Sequence, residues 1–240
     1  MTASPIDLRL GRWQDVLADV TTCDALITDV PYSERTVKGH RSGTLKRGAD
    51  GAVIGRGTLV DDAIKYDGLS ERETREVALF AVSVARRWVV IFCDHQQWMW
   101  LEEECRLAKW MTFQPIPWVK SDGGTPRFTA DGPSSSSEWI MIARPRKKAI
   151  TRYRPGHYTD QPRQERFGVV GAKPTSLMRA IVRDYSEPGD LVVDPFCGSG
   201  TTALACAQEG RRCITSEGKP EHYEIARRRL ARGYTPSMFT

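Results

Sequence analysis

The chain has 240 residues, 40% of them hydrophobic, enough to bury one sizeable core, so a single domain spanning 1–240 is the expectation. Lysine and arginine number 35 against 30 acidic residues, a modest net charge of +5 whose uneven distribution matters more than its size. No apolar run approaches the 18 residues of a membrane span, and residues 1–12 lack the basic-then-apolar layout of a secretion signal, so a cytosolic protein with no membrane partner is expected.

In chain order, Asp7-Leu8-Arg9-Leu10 reads as a short edge strand, Trp13 to Ala18 as a helical turn, and Ala25 to Asp29 as a central parallel strand running into Asp29-Val30-Pro31-Tyr32. From 33 to 68 the apolar period vanishes among glycines and charges. A loop so long inside a compact domain is more often functional than decorative, and it is expected to be mobile. Order resumes at Ser70, a helix cap with Glu73 three residues on, followed by Val77, Phe80, Ala81, Val84 and Ala85 at helical spacing. Trp88 to Cys93 is a buried strand, and Asp94 caps a helix running to about Lys109. Thr112 to Lys120 and Glu138 to Ala143 read as two strands of an antiparallel hairpin at the sheet edge. Thr175 or Ser176 opens a helix through Asp184.

Leu191-Val192-Val193-Asp194 then gives a buried strand, Gly198 and Gly200 permit a tight turn, and Thr201 to Glu209 has helical composition. A strand, glycine turn and helix in that order hold nucleotide-like cofactors or phosphates. Glu217 follows Gly200 by 17 residues at the end of the strand-like run Arg212 to Ser216, where an acid can accept hydrogen bonds from both ribose hydroxyls. A basic helix closes the chain. Alternating strands and helices with apolar strands argue for a Rossmann-like, doubly wound α/β sheet with helices on both faces.

Basic residues gather in two segments rich in Gly, Ser and Pro. The first carries Arg35, Lys38, Arg41, Lys46, Arg47 and Arg56 against only Glu34 and Asp50; the second, from 142 to 166, holds eight lysines and arginines, Arg152 and Arg154 among them, against Asp160 and Glu165. Either alone reads equally well as a solvated surface. A polyanion backbone needs such a field, and Tyr153, His157 and Tyr158 are available to stack on nucleotides. The six cysteines show no C-x-x-C pairing and are expected reduced and mostly buried, and the four histidines offer no metal-ligand spacing.

Asp29-Val30-Pro31-Tyr32 resembles the D-P-P-Y motif, and Asp194 to Thr202 the D-P-F-x-G-S-G-T-T motif, of S-adenosylmethionine-dependent DNA amino-methyltransferases. Catalytic motif first and cofactor motif last is the circularly permuted order of that family's beta class. Lys173-Pro174 matches its K-P motif, and Glu217 to Leu230 its E-x-x-P-E-Y-x-x-I-A-x-x-R-L stretch. The likeness is nearly continuous from Lys173 to Leu230 and patchy before it. The resemblance implies a mixed seven-stranded sheet with a reversed hairpin and methylation of adenine N6 in double-stranded DNA. It assigns Asp29, Val30, Pro31 and Tyr32 to catalysis on a flipped base. Asp29, Lys173, Pro174, Thr175, Asp194, Pro195, Phe196, Gly198, Ser199, Gly200, Thr201, Thr202 and Glu217 are assigned to the cofactor, with backbone around Gly198 and Gly200 in close contact. The segments 33–68 and 120–168 would recognise DNA as insertions, through Arg35, Lys38, His40, Arg41, Lys46, Arg47, Lys120, Arg127, Arg152 and Arg154. A homodimer is a further implication, and whether a restriction endonuclease partner exists is left open.

Two departures stand out. Val30 replaces the first proline, which keeps the carbonyl but frees φ and adds an N–H, so a less rigid loop is expected. Arg12 follows Gly11 where relatives commonly place an acid for the cofactor's adenine, with Asp15 the nearby substitute. Cys197 lies in the cofactor loop rather than after a catalytic-loop proline, which argues against a cytosine-attacking thiol. Glu138 reads most simply as a salt bridge in the sheet. The alternatives are a cytosine-N4 methyltransferase, a nucleic-acid-binding regulator with a vestigial pocket, and a dinucleotide oxidoreductase. The last should carry a third glycine where Ala203 stands.

Overall fold

A computed structural model describes residues 5–36, 68–120, 136–146, 152–160, 169 and 171–233. The strands are β1 (Ile6–Leu10), β2 (Cys23–Asp29), β3 (Ala85–Cys93), β4 (Trp110–Thr112), β5 (Ile116–Lys120), β6 (Ser137–Pro145), β7 (Tyr158–Asp160), β8 (Leu191–Asp194) and β9 (Arg212–Glu217). The helices are α1 (Trp13–Val16), α2 (Glu71–Val84), α3 (His95–Leu107), α4 (Thr175–Tyr185), α5 (Thr201–Gln208) and α6 (Pro220–Gly233). One sheet joins all nine strands in the order β1-β9-β8-β2-β3-β6-β5-β7, with β4 also paired to β6. Pairing is parallel from β1 through β3; β6 then runs antiparallel to both β3 and β5.

The implied seven strands are the longer ones; β4 and β7, of three residues each, bring the sheet to nine. The stretch expected as one strand from Thr112 divides because Pro115 has no N–H to continue a ladder. The β5–β6 hairpin forms as expected, but β7 pairs with β5 and takes the edge.

Period-2 alternation splits the core between the two faces. Ala25, Ile27, Val90, Phe92 and Ile142 pack under α4 and α5, whereas Leu26, Val89, Ile91 and Met141 face α2 and α3. Both expected caps are present. Ser70 Oγ accepts the Glu73 N–H at 3.3 Å while the Glu73 carboxylate accepts the Ser70 N–H at 2.9 Å. Asp94 Oδ1 accepts the Gln96 and Gln97 N–H groups at 3.0 and 2.9 Å. All six cysteines are free thiols and buried.

The fold positions a site by adjacency. β8 lies beside β2, so Asp194 and Asp29 end neighbouring strands although their motifs are far apart in the chain. Glu217 ends β9 next to them, and ligands of open α/β sheets bind outside such carboxyl ends.

Candidate active site

A cavity of about 370 Å³ opens at those strand ends. Its wall includes Asp29, Val30, Pro31, Tyr32, Lys173, Pro195, Phe196, Gly198, Ser199, Thr201, Thr202 and Glu217, so most of the sequence-derived residues converge on one space. Pro174, Thr175, Asp194 and Gly200 are not in that wall.

Asp29 stands at the end of β2 with one oxygen paired and the other not. Oδ2 accepts from Lys173 Nζ at 2.5 Å. Oδ1 is buried with no hydrogen-bond partner among the described residues, an expensive state for a carboxylate unless something else supplies a donor. Burial drives the Asp29 carboxyl up to about 6, Lys173 pulls it back and Glu138 pushes it further.

Glu138, at the start of β6, ties the cluster together. Its Oε1 lies 2.8 Å from Lys120 Nζ, and its Oε2 lies 3.1 Å from Lys173 Nζ and accepts the Tyr32 hydroxyl. Burial alone would raise this carboxyl, but Lys173 and Lys120 outweigh it and hold it down to about 2. The Lys173 ammonium is shifted up: burial opposes its charge, and the two carboxylates more than compensate. It also sits 5.0 Å from the Phe92 ring centroid and 5.6 Å from that of Tyr32. Lys120, expected on DNA, is thereby committed to Glu138.

The loop after Asp29 is clamped from α3. Gln97 Nε2 donates to the Pro31 carbonyl at 2.9 Å, and Asp94 Oδ2 accepts from the Ser33 N–H at 3.0 Å, Ser33 Oγ at 2.5 Å and Thr36 Oγ1 at 2.6 Å. Leu69 N–H donates to the Tyr32 carbonyl at 3.1 Å, and a Cβ on Gly68 would meet the Glu34 nitrogen at 2.4 Å, so the returning chain closes directly on the motif. Val30 is held from the neighbouring strand. Its added N–H reaches the Phe92 carbonyl at 3.4 Å, and its side chain is buried.

On the cofactor side, Glu217 Oε2 accepts the Gly198 N–H at 2.8 Å and Oε1 the Lys219 N–H at 2.9 Å. The carboxylate thus faces the cavity from a fixed position. Gly198 has φ +54°, and a Cβ there would meet no protein atom within 4 Å, so the glycine keeps open the space beside Glu217. Gly200 has a packing role as well: at φ +81° a Cβ would stand 3.3 Å from Ala226 Cβ, so its bareness lets α6 close on α5. Asp194 is a turn organiser behind the wall, with Oδ1 accepting from Thr28 Oγ1 at 2.6 Å and the Phe196 N–H at 3.0 Å. Thr175 receives a hydrogen bond from Arg229 at 2.8 Å. Cys197 lines the cavity, but burial pushes its thiol further up, away from a nucleophilic thiolate.

Gly11, Arg12, Trp13, Gln14, Glu73, Lys219 and His222 also line the cavity, and Asp15 does not, so Gln14 is the neutral polar side chain present where an acid was sought. Arg35 is exposed beside the Asp29–Tyr32 loop. Arg152 and Arg154 are not brought to the cavity. Arg154 stacks 4.4 Å from the Trp88 ring and donates to the Asp184 carbonyl, and Arg152 donates to the Arg183 carbonyl, beyond the far end of α4. Lys38, His40, Arg41, Lys46, Arg47 and Arg127 lie outside the described residues.

The family model described as "DNA methylase" matches residues 80–228. The chain belongs to that family, the amino-methyltransferases of the N6/N4 class. Type II methyltransferase M.Cfr9I of Citrobacter freundii is 46% identical over 57 residues, 24% of this chain and 19% of that protein. DNA adenine methyltransferase YhdJ of Escherichia coli K12 is 37% identical over 79 residues, 33% of this chain and 24% of that protein. The matches therefore span about a fifth to a quarter of these curated relatives. The fold extends further. The M1.HpyAVI-SAM complex superposes with TM-score 0.66 at 21% identity, covering 94% of this chain and 98% of that one. PvuII DNA methyltransferase, cytosine-N4-specific, does so with TM-score 0.64 at 15% identity, covering 100% and 89%.

Proposed function

We propose that this protein binds S-adenosylmethionine in the cavity and methylates the exocyclic N6 of an adenine flipped out of double-stranded DNA. The observation that carries the reading is Asp29 Oδ1, a buried carboxylate oxygen in want of a donor at the wall of a cofactor-sized cavity. A volume of about 370 Å³ falls in the usual range of small-molecule sites, roughly 300–1,000 Å³. Glu217, fixed by two backbone N–H groups, is placed for the ribose, with Gly198, Phe196 and Pro195 along the same wall. S-adenosylmethionine supplies an electrophilic sulfonium methyl.

An adenine amine is a weak nucleophile because its lone pair is delocalised into the ring. One N–H is donated to Asp29 Oδ1 and the other to the Val30 carbonyl, which draws the nitrogen toward tetrahedral geometry and frees the lone pair for attack. Tyr32 stacks on the flipped base, its hydroxyl held by Glu138. The remaining barrier is lowered by holding donor and acceptor in line. Proton loss from the methylated amine completes the reaction.

Asp29 at the head of the tetrapeptide favours adenine, as in the named function of YhdJ, whereas N4-cytosine relatives more often begin with serine. The fold shared with the cytosine-N4-specific PvuII enzyme keeps that base as the second reading. Arg35 and the basic segments 33–68 and 120–168 serve as the DNA-contacting insertions of one catalytic domain, working as a homodimer in the cytoplasm. The test is transfer of labelled methyl from S-adenosylmethionine to unmethylated duplex DNA, with the digested nucleosides separated by mass spectrometry. N6-methyladenine is expected. N4-methylcytosine would reassign the base, and no incorporation despite cofactor binding would leave the regulator with a vestigial pocket.

A further inference from the structure

We propose that Glu138, which lies outside both sequence motifs, is the positioning residue of this site, setting the charge balance at Asp29 through Lys173 and the orientation of Tyr32 through its hydroxyl. The inference rests on the site reading above and deepens it.

The geometry is specific. Glu138 Oε2 faces two groups at once, the Tyr32 hydroxyl and Lys173 Nζ at 3.1 Å, while Lys120 holds Oε1 at 2.8 Å. Lys173 in turn spans from Glu138 to Asp29 Oδ2 at 2.5 Å. Two cations and two carboxylates therefore alternate in a neutral chain, Lys120–Glu138–Lys173–Asp29, whose last three members line the cavity, and Tyr32 branches from it at Glu138. Lys173 is only 6% exposed and Glu138 15%, so neither charge is strongly screened by water.

A buried ion pair is weak evidence for stability, since its desolvation cost rivals its Coulomb gain. The arrangement has a clearer consequence for chemistry. With Lys173 shared between two carboxylates, Asp29 Oδ2 is occupied, and Oδ1 is left as the oxygen without a partner among the described residues, the one the proposed function assigns to the amine. Without Glu138, Lys173 would neutralise Asp29 alone and draw proton affinity out of the carboxylate that must accept an N–H. Tying the Tyr32 hydroxyl leaves its ring as the part free to meet a base. Asp29 is faced by Lys173 from the segment before α4, by Glu138 from β6 and Lys120 from β5, with Tyr32 in its own loop; Asp194 on β8 and Cys93 on β3 also feel its charge.

The effects of the two partners on Asp29 have opposite signs, which separates positioning from mere structure. The test is a ¹³C NMR titration of the Asp29 carboxyl in the full chain without DNA, so it reads the cluster whether or not methyl transfer is observed. Lys173→Met removes the cation and should raise the midpoint by roughly 1–3 pH units. Glu138→Gln should lower it. Lys120→Met leaves the Asp29–Lys173 contact in place and should raise it slightly, so it keeps the test decisive if Glu138→Gln fails to fold. In turnover, the acidic limb of the kcat–pH profile should move to lower pH in Glu138→Gln and to higher pH in Lys173→Met. An Asp29 midpoint unchanged in Glu138→Gln and Lys120→Met, or displaced in the same direction by Glu138→Gln as by Lys173→Met, would overturn the proposal. Absence of methyl transfer in the unaltered protein, with the midpoints moving as stated, would instead refute the proposed function and leave the cluster standing.

Discussion

Two aspartates end neighbouring strands, Asp194 fully buried and Asp29 half-buried, and desolvation lifts both carboxyls to about 6. Their hydrogen bonding nevertheless differs. Asp194 spends Oδ1 on Thr28 Oγ1 and the Phe196 N–H, so its charge is used inside the fold to shape the turn. Asp29 gives Oδ2 to Lys173 and keeps Oδ1 without a partner among the described residues. A perturbed carboxyl thus does not by itself identify a chemical group. The two are told apart by an oxygen left without a partner, which among the described residues lies at the β2 end and not at the β8 end.

The largest expected break in this comparison is Asp29→Asn. It keeps the shape of the side chain, and kcat should fall about 10²–10⁴-fold while cofactor affinity, measured by calorimetry, is largely retained. Glu217→Ala should do the reverse, weakening cofactor binding by about 1.5–3 kcal/mol, the worth of hydrogen bonds to a charged group, with folding retained in a circular-dichroism melt. Asp194→Ala strands Thr28 Oγ1 and the Phe196 N–H, and should cost about 1–3 kcal/mol in urea unfolding at unchanged m-value.

The shared upward shift carries a pH signature. Each folded-state carboxyl near 6 lies above its unfolded value of about 3.9, so the unfolded chain releases these protons first as pH rises. Their effect is loss of stability across the window from about 4 to about 6, with most stability below it. Glu138, held down to about 2, has the opposite sign, its contribution present above the unfolded carboxylate value and lost as pH falls toward 2. The urea midpoint should therefore decline less between pH 4 and pH 6 in Asp194→Asn than in the unaltered protein. The smallest effect separates the glycines. Gly200→Ala, at φ +81° against Ala226, should cost about 1–2 kcal/mol of stability, whereas in Gly198→Ala the added methyl enters open space beside the cavity, and cofactor affinity should suffer along with the backbone strain.

What was legible in the sequence is what local chemistry decides. Ser70 with Glu73, Asp94 before α3, and the apolar runs of β2, β3 and β8 announce themselves within a few residues, and they place the strand ends correctly. The two motifs named Asp29 and Glu217 because glycine turns and strand-end acids have recognisable spacing. Glu138 was visible as an acid in an apolar strand, but its role depends on the antiparallel β3–β6 register that sets β6 beside β3 and on contact with Lys173, neither of which leaves a local trace. Asp94 shows the same limit: the cap was readable, its second oxygen on Ser33 and Thr36 was not. Gly200 resembles Gly198 in sequence because both permit positive φ, and only packing tells which one faces Ala226. Charge counts carry no direction, so they could not show that Arg154 covers Trp88 and Tyr185.

In the proposed reaction the free oxygen of Asp29 directs methyl transfer to an adenine amine. The most direct measurement is expression of the protein and its Asp29→Asn variant in a host free of DNA methylation, followed by single-molecule sequencing and nucleoside mass spectrometry of the host DNA. N6-methyladenine at a defined sequence with the unaltered protein, and none with Asp29→Asn, is the predicted result. Methylation persisting in Asp29→Asn, or confined to cytosine N4, would contradict it.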